Sequence, residues 1–429
     1  MTLEDFPTTR PSFTANFARS QQMPPQFTFS RASTGTYVGE NGLIQTTTNN
    51  TPRFVWENSR CQGLLIEEAR TNYNYPSNDL SDSRYTVSPN YTTSNQSAPD
   101  GSNDAVYFAE TVGASGLYIN PAVSTQTFTS STASVYVKVI GDRRYFSIRE
   151  ANTSNNWVRA VFDCTGEGSY KTVEGDVVTR TGFTPYIENV GDGWYRCSLN
   201  VTYSTAQRVG FYFGPSDTDT GGGATNSGYG AAGATGLAGS GSVLWGYQQE
   251  AGGFPTSLIP TTTAAVTRAA DTCEITGTNF SSWYNSGAGT ICATFRSQFP
   301  DGEETTILQS TGANTFRIFD FTNYNRVQFL YGSTNIYSNN ATSGYPAESD
   351  FSSAAMFYTD DGTASSVGGS FQGFPVVSTT GTGGVTVSGL RFAPFTGASG
   401  ALQASSAHLS RISYYPTRLP DDALEALTT

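Results

Sequence analysis

Histidine is nearly missing from this chain: His408 is the one histidine in 429 residues. That excludes metal centres built from several imidazoles, and it makes any Ser-His-Asp or Cys-His triad depend on a single residue. Charge is scarce as well, at 14% Asp, Glu, Lys and Arg, against roughly 25% in an average globular protein. The balance is acidic, with a formal net charge of −12. A surface that grips phosphates needs clustered Lys and Arg, and no such cluster occurs, so neither nucleic acid nor an anionic membrane is expected as a partner. No run of about 18 apolar residues could span a bilayer. The opening MTLEDFPTTRPSFTANF has neither a basic start nor a continuous apolar stretch, so no signal peptide is expected. Five cysteines (Cys61, Cys164, Cys197, Cys273, Cys292) are widely spaced without a CxxC pair, which argues against zinc. They are expected as free buried thiols, with a Cys164–Cys197 bridge as the alternative.

What replaces charge is Ser, Thr, Asn and 45 Gly, together with 27 Phe and 24 Tyr. Aromatics at that density build large cores, and short strands joined by Gly- and Asn-rich turns suit the remainder, so the fold class is all-β. The length implies two or three domains. Residues 1–75 read as an irregular leader for attachment or oligomerisation. Alternating or compact runs such as TASVYVKVI, RRYFSIRE, WVRAVFD and GWYRCSLNVTY place a jelly-roll sandwich over 76–260. GTICATFRSQF, NTFRIFDF, RVQFLYG and HLSRISYYP place a second sandwich over 261–429. Pro420-Asp421-Asp422 opens one short C-terminal helix, with its acids where the helix dipole favours them. The strings SRAST (30–34) and TRAAD (267–271) form a faint internal echo, each ahead of a sandwich.

Several strings together resemble bacteriophage tail-fibre and head-spike virion proteins: FTFSRASTGTYV, PRFVWE, GLLIEEARTNYNYPSNDLSD, GDGWYRCSL, WGYQQEAGGFPTSLIPT, VTRAAD and the closing LSRISYYPTRLPDDALEALT. The resemblance implies a leader, a carbohydrate-binding-module-like jelly roll and a concanavalin A-like or laminin G-like sandwich. It also implies residence in the virion, homotrimeric assembly, and partners among other phage virion proteins. It does not fix a ligand.

Host cell-surface glycan is the expected external partner, because an exposed aromatic ring can lie under the apolar face of a pyranose while amides and carboxylates take its hydroxyls. Trp157 follows the turn-like Asn152–Asn156 tract, and Tyr229 lies in the glycine-rich stretch 220–242. Trp283 and Tyr284 adjoin the Asn285-Ser286-Gly287 turn, and Tyr324 stands between two asparagines. These five are the candidate sugar-binding residues. Trp194 and Trp245 are expected in the core. No cofactor is required; a structural calcium would take Asn78, Asp79, Asp82 and Glu250, with SDTDT (216–220) as another oxygen cluster. The carboxylates of Asp163, Glu167, Asp301, Glu303 and Glu304 stand in no recognisable active-site string, and no GxSxG elbow accompanies His408. The expected function is therefore a non-enzymatic, receptor-binding virion appendage. The alternatives are a decoration or connecting protein of the particle and a polysaccharide depolymerase.

Overall fold

The computed structural model of the protein describes residues 9–122, 125–151, 157–174, 180–219, 234–297, 304–311, 316–321, 326–339, 351–393 and 406–429. The chain is mostly β, and it divides into two compact units. The terminal unit comprises Met1–Glu40, Thr47–Ala69 and Ala269–Thr429; the central unit comprises Asn41–Thr46 and Arg70–Arg268.

In the terminal unit one sheet runs in the order Val377–Thr382, Ala364–Phe371, Ser352–Asp360, Ala288–Ser297, Ser406–Tyr415, Arg60–Glu67 and Arg53–Glu57, with Phe13–Asn16 also paired to Ser406–Tyr415. The other runs Thr28–Ser30, Thr272–Thr276, Gly389–Phe392, Glu304–Ser310, Phe316–Phe321, Arg326–Tyr331 and Thr334–Asn339. Inward residues from both, including Ile291, Phe295, Met356 and Ile412 from the first and Ile275, Leu308, Ile318 and Phe329 from the second, make one core. The two sheets are thus a sandwich. The C-terminal helix spans Asp421–Thr428, with Asp421 and Asp422 in its first turn as the sequence suggests.

The boundaries differ from the sequence reading. Residues 13–67 are not a separate leader, because the strands Phe13–Asn16, Thr28–Ser30, Arg53–Glu57 and Arg60–Glu67 complete the sheets of the sandwich expected over 261–429. Phe13 pairs with Tyr414, Leu64 with Leu409, and Phe29 with Cys273. Strands of three to eight residues cannot bury a face alone, so they borrow partners from distant chain.

The SRAST and TRAAD strings meet in space. Arg31 Nη1 donates to Asp271 Oδ1 at 3.0 Å, and the Ala269 amide donates to Ser33 Oγ at 2.9 Å. Arg53 joins from the neighbouring segment, giving one nitrogen to Asp271 Oδ2 at 2.5 Å and the other to Glu67 Oε2 at 2.6 Å. All four side chains are fully buried. Backbone groups add further bonds: Arg31 reaches the carbonyls of Ser33, Thr48 and Thr51, Arg53 reaches that of Thr36, and the Glu67 amide donates to Asp271 Oδ2.

The central unit is a second sandwich. Its sheets run Arg180–Gly191, Trp194–Gln207, Phe128–Ile140, Gly241–Ala251, Ala105–Glu110, Tyr91–Gln96, and Ser169–Glu174, Trp157–Asp163, Tyr145–Ala151, Phe211–Ser216, Ile119–Pro121, Tyr85–Val87. Val135, Leu199 and Leu244 face Phe146, Ala160 and Phe213 in its core. Cys164 and Cys197 share that core as free thiols in mutual contact, and burial pushes the Cys197 thiol well up. Trp194 and Trp245 are buried in a smaller cluster with Tyr136 and Leu258.

Asn72, Gln248, Glu250 and Arg268 tie the edge of this unit together through backbone groups and hydroxyls. Asn72 Nδ2 donates to the Ile259 carbonyl at 3.0 Å, and Glu250 accepts from the Thr256 amide at 2.9 Å and its hydroxyl at 2.8 Å. Gly252, at φ +115°, must be glycine, since a Cβ there would lie 1.4 Å from Arg70 Nη1.

His408 lies in the terminal unit, 2% exposed, paired across strands with Arg296 and Leu65. Its Nδ1 accepts from the Arg296 guanidinium at 3.3–3.4 Å, and Arg296 pairs with Glu57 at 2.7 Å. Burial, then repulsion from Arg296 and Arg53 against the attraction of Glu67, holds the imidazole well below its usual range. The native state therefore keeps it neutral. Unfolded histidine takes up its proton near pH 6.5, so stability contributed above that pH is lost as pH falls below it, by up to about 1.4 kcal/mol per unit. Urea midpoints measured from pH 7.5 down to about pH 5 are expected to fall less steeply in His408→Gln than in the wild type. Asp271→Ala leaves Arg31 and Arg53 buried without their shared carboxylate, and is expected to cost about 3–5 kcal/mol in the urea transition of the terminal unit.

Candidate functional site

A cleft of about 800 Å³ opens in the terminal unit where three loop segments meet. The first is the turn of helix Thr278–Ser281 and the residues after it; the second is the corner past strand Ser352–Asp360; the third is 384–388, which feeds strand Gly389–Phe392. The floor is apolar, formed by buried Phe280 and Val387 and half-buried Tyr284 and Val385. The rim carries the exposed side chains of Thr278, Ser281, Ser286, Thr386 and Ser388. Ser388 Oγ lies 3.3 Å from Thr311 Oγ1. The hydroxyls of the other four make no hydrogen bond among the described residues and face solvent.

Asp360 is the one carboxylate among the described residues of this lining. Its Oδ1 accepts from the amides of Gly362 and Gly384, each at 2.8 Å, and its Oδ2 from the Val385 amide at 2.9 Å and the Tyr331 hydroxyl at 3.1 Å. Burial alone would raise its pKa, but three amides and a phenol outweigh it and hold the carboxyl below its ordinary value. Both oxygens are fully used, so Asp360 fastens two corners of the rim together and stays ionised. Gly362 and Gly384 adopt φ of +87° and +82°, which lets their amides turn inward to it.

Behind the floor stands a tyrosine cluster. Tyr331 and Tyr358 stack at 4.7 Å, and the Tyr358 and Tyr414 hydroxyls lie 2.7 Å apart. Tyr358 also donates to the Asn285 carbonyl, and the Asn285 amide donates to Tyr414 Oη at 3.0 Å. Burial pushes the Tyr284 phenol up to about 12. The cluster is therefore a neutral, hydrogen-bonded support that fixes the 283–287 turn.

Of the described candidates read from sequence, only Tyr284 reaches this cleft. It does so with a rim and not a free face, since Phe280 stacks on it at 4.5 Å and Tyr358 lies nearly parallel at 5.8 Å. Trp283 turns the other way, 8% exposed, stacked on Phe13 at 4.7 Å with its Nε1 donating to the Asn279 carbonyl at 2.6 Å. The turn signal at Asn285-Ser286-Gly287 is right, but the short helix before it draws the indole into the core. Trp157 is not an exposed platform either. It is 3% exposed on strand Trp157–Asp163, between the guanidiniums of Arg149 and Arg159 at 4.9 and 5.1 Å, and packs with Tyr212. Arg149 and Arg159 face each other across paired strands, and burial followed by that repulsion lowers Arg159 to about 10. Tyr229 and Tyr324 lie outside the described residues.

The calcium set is not brought together. Asn78 Nδ2 donates to Asp104, Asp79 accepts from Ser81, Asp82 is paired with Arg84, and buried Glu250 is filled by Thr256 and Gln248. In the SDTDT cluster, Asp217 pairs with Arg143 and Asp219 with Lys171. Among the described residues no three acidic, histidine or cysteine side chains converge on a point that could hold a metal ion. No helix among them is long and apolar enough to cross a membrane.

Asp360 and the rim hydroxyls escaped the sequence reading because their segments join only through strand pairing. The usable signal was the turn glycines, in DDG at 360–362 and GTGGV at 381–385.

No family model matches the chain, and no curated protein matches it. Among solved structures, the chain is similar to the Ruminococcus gnavus IT-sialidase CBM40 bound to alpha2,3 sialyllactose, at 15% identity over 35% of this chain and 88% of that one, with a TM-score of 0.28. It is similar to the receptor-binding domain of botulinum neurotoxin mosaic serotype C/D, at 10% identity over 37% and 39%, with a TM-score of 0.28. It is also similar to Trypanosoma rangeli sialidase in complex with sialic acid, at 13% identity over 80% and 61%, with a TM-score of 0.25. At TM-scores this low none of these likenesses bears on what this chain binds.

Asp360→Ala removes the acceptor of three amides and a phenol. It is expected to cost about 1–3 kcal/mol and to speed hydrogen exchange at Gly362, Gly384 and Val385, read by exchange mass spectrometry against the unchanged amides of strand Ala288–Ser297.

Proposed function

We propose that this protein is a non-catalytic glycan-binding component of a bacteriophage particle, carried in a fibre or spike, with the cleft of the terminal unit as its sugar site. The observation that carries the reading is the amphiphilic lining: an apolar floor beneath a rim of exposed hydroxyls. Saccharides have the same two-sided character, with C–H faces and hydroxyl edges. The cleft volume falls in the range of roughly 300–1,000 Å³ usual for small-molecule sites.

Among the described lining residues the one carboxylate, Asp360, has both oxygens occupied, which supports binding over hydrolysis, since glycosidases use two carboxylates flanking the bond. The phage-appendage strings support the placement in a virion, and homotrimeric assembly would turn weak individual contacts into firm attachment by raising the effective concentration of the second and third sites.

The full chain is expected to sediment at three times its 45.8 kDa mass. On an array of bacterial surface polysaccharides it is expected to bind at least one without raising reducing ends in solution. Released reducing ends would move the reading to a depolymerase, and an assembled trimer that binds no polysaccharide would move it to a structural component of the particle.

A further inference from the structure

We infer that the cleft selects uncharged saccharides and rejects acidic ones such as sialylated or uronate-bearing glycans. This deepens the glycan reading above and rests on it. The inference comes from the charges at the cleft. Among the described residues that line it, none is Lys, Arg or His, and the single charged one is Asp360. That carboxyl is ionised at neutral pH and holds no spare lone pair, because each oxygen already takes two donors. Its neighbour Asp361 is exposed, with its carboxyl also lowered by the amides of Ala364 and Thr363.

An acidic sugar docked in this cleft would bring a carboxylate toward that of Asp360, with no guanidinium or ammonium among the described lining residues to answer it. Across some 6 Å at the effective dielectric of about 20 found near protein surfaces, one such repulsion weakens affinity by up to the order of a hundredfold, less as salt screens it. A neutral sugar meets no such term. Its hydroxyls can exchange hydrogen bonds with Thr278, Ser281, Ser286 and Thr386, each of which both donates and accepts. Its C–H face can lie on the floor of Phe280, Val385 and Val387, with the Tyr284 rim alongside.

The Asp360 clamp belongs to the same design. A carboxylate is a strong acceptor for several amides at once, so it shapes the rim and at the same time sets its field. The cleft cannot keep that shape and become attractive to anions without a basic residue being added.

The test uses the full chain and two sets of immobilised polymers: dextran, a mannan and a galactan as neutral probes, and polysialic acid, alginate and polygalacturonate as acidic ones. Binding is measured at low and high salt for the wild type, for Thr386→Trp, which fills the cleft from an exposed position, and for Ser286→Arg, which adds a cation to its rim. The expected result is a neutral polymer bound at least tenfold more tightly than any acidic one, with little salt dependence. Thr386→Trp should weaken it at least tenfold, and Ser286→Arg should raise affinity for the acidic set. An acidic polymer bound as tightly as the best neutral one, and lost in Thr386→Trp, overturns the charge selectivity while leaving the glycan reading intact. Binding that Thr386→Trp does not change overturns the cleft as the site, and no binding to either set overturns the glycan reading itself.

Discussion

Two arginines and two carboxylates, buried completely, hold the terminal unit to its architecture. Asp271 sits at the centre, shared by Arg31 and Arg53, with Glu67 answering the second arginine. Buried ion pairs are poor evidence of net stability, because desolvating four charges costs nearly as much as their attraction returns. What such a cluster provides is exclusivity. Any other register of the 13–67 strands would leave at least one charge buried without its partner. Hydrophobic contacts among Phe, Ile and Leu tolerate sliding; a guanidinium seated between two carboxylates does not. Gly35 contributes by absence, since a Cβ there would come within 3.0 Å of the Arg31 guanidinium.

The strings that gave the chain its phage-appendage resemblance map largely onto such framework. Arg31, Arg53, Glu67, Arg70, Glu250, Gly252, Arg268 and Asp271 all come from them, and all serve the fold. This explains what the sequence could and could not disclose. All-β character, two sandwiches and the C-terminal helix followed from composition, alternation and one capping pattern. The echo of SRAST and TRAAD was visible but its meaning was not, because complementary charges 240 residues apart carry no mark of pairing. For the same reason the 13–67 strands looked like a leader: their partners are far along the chain.

The site was less legible than the fold. Trp157 and Trp283 looked exposed because asparagines or a turn flank them, yet each has a better use for its ring, between two guanidiniums in one case and on Phe13 in the other. Tyr284, flanked by the same turn, lines the cleft because the helix Thr278–Ser281 ends just before it and delivers the ring to the cleft wall. The rim hydroxyls are ordinary Ser and Thr in a chain rich in both. Only the convergence of three loops sets them apart, and convergence is a property of strand order.

The terminal unit is assembled from chain segments that leave the ribosome far apart in time. Between Glu67 and Ala269 lie about 200 residues, on the order of 10–40 s of synthesis at 5–20 residues per second. During that interval the paired strands Arg53–Glu57 and Arg60–Glu67 exist without the strand Ser406–Tyr415 that Arg60–Glu67 joins. The central unit is nearly continuous in sequence, so it can close while they wait. Folding of the terminal unit is thereby deferred until strand Ser406–Tyr415 has been made, and a prematurely terminated copy would present unpaired strand edges to chaperones and proteases before any assembly could accept it.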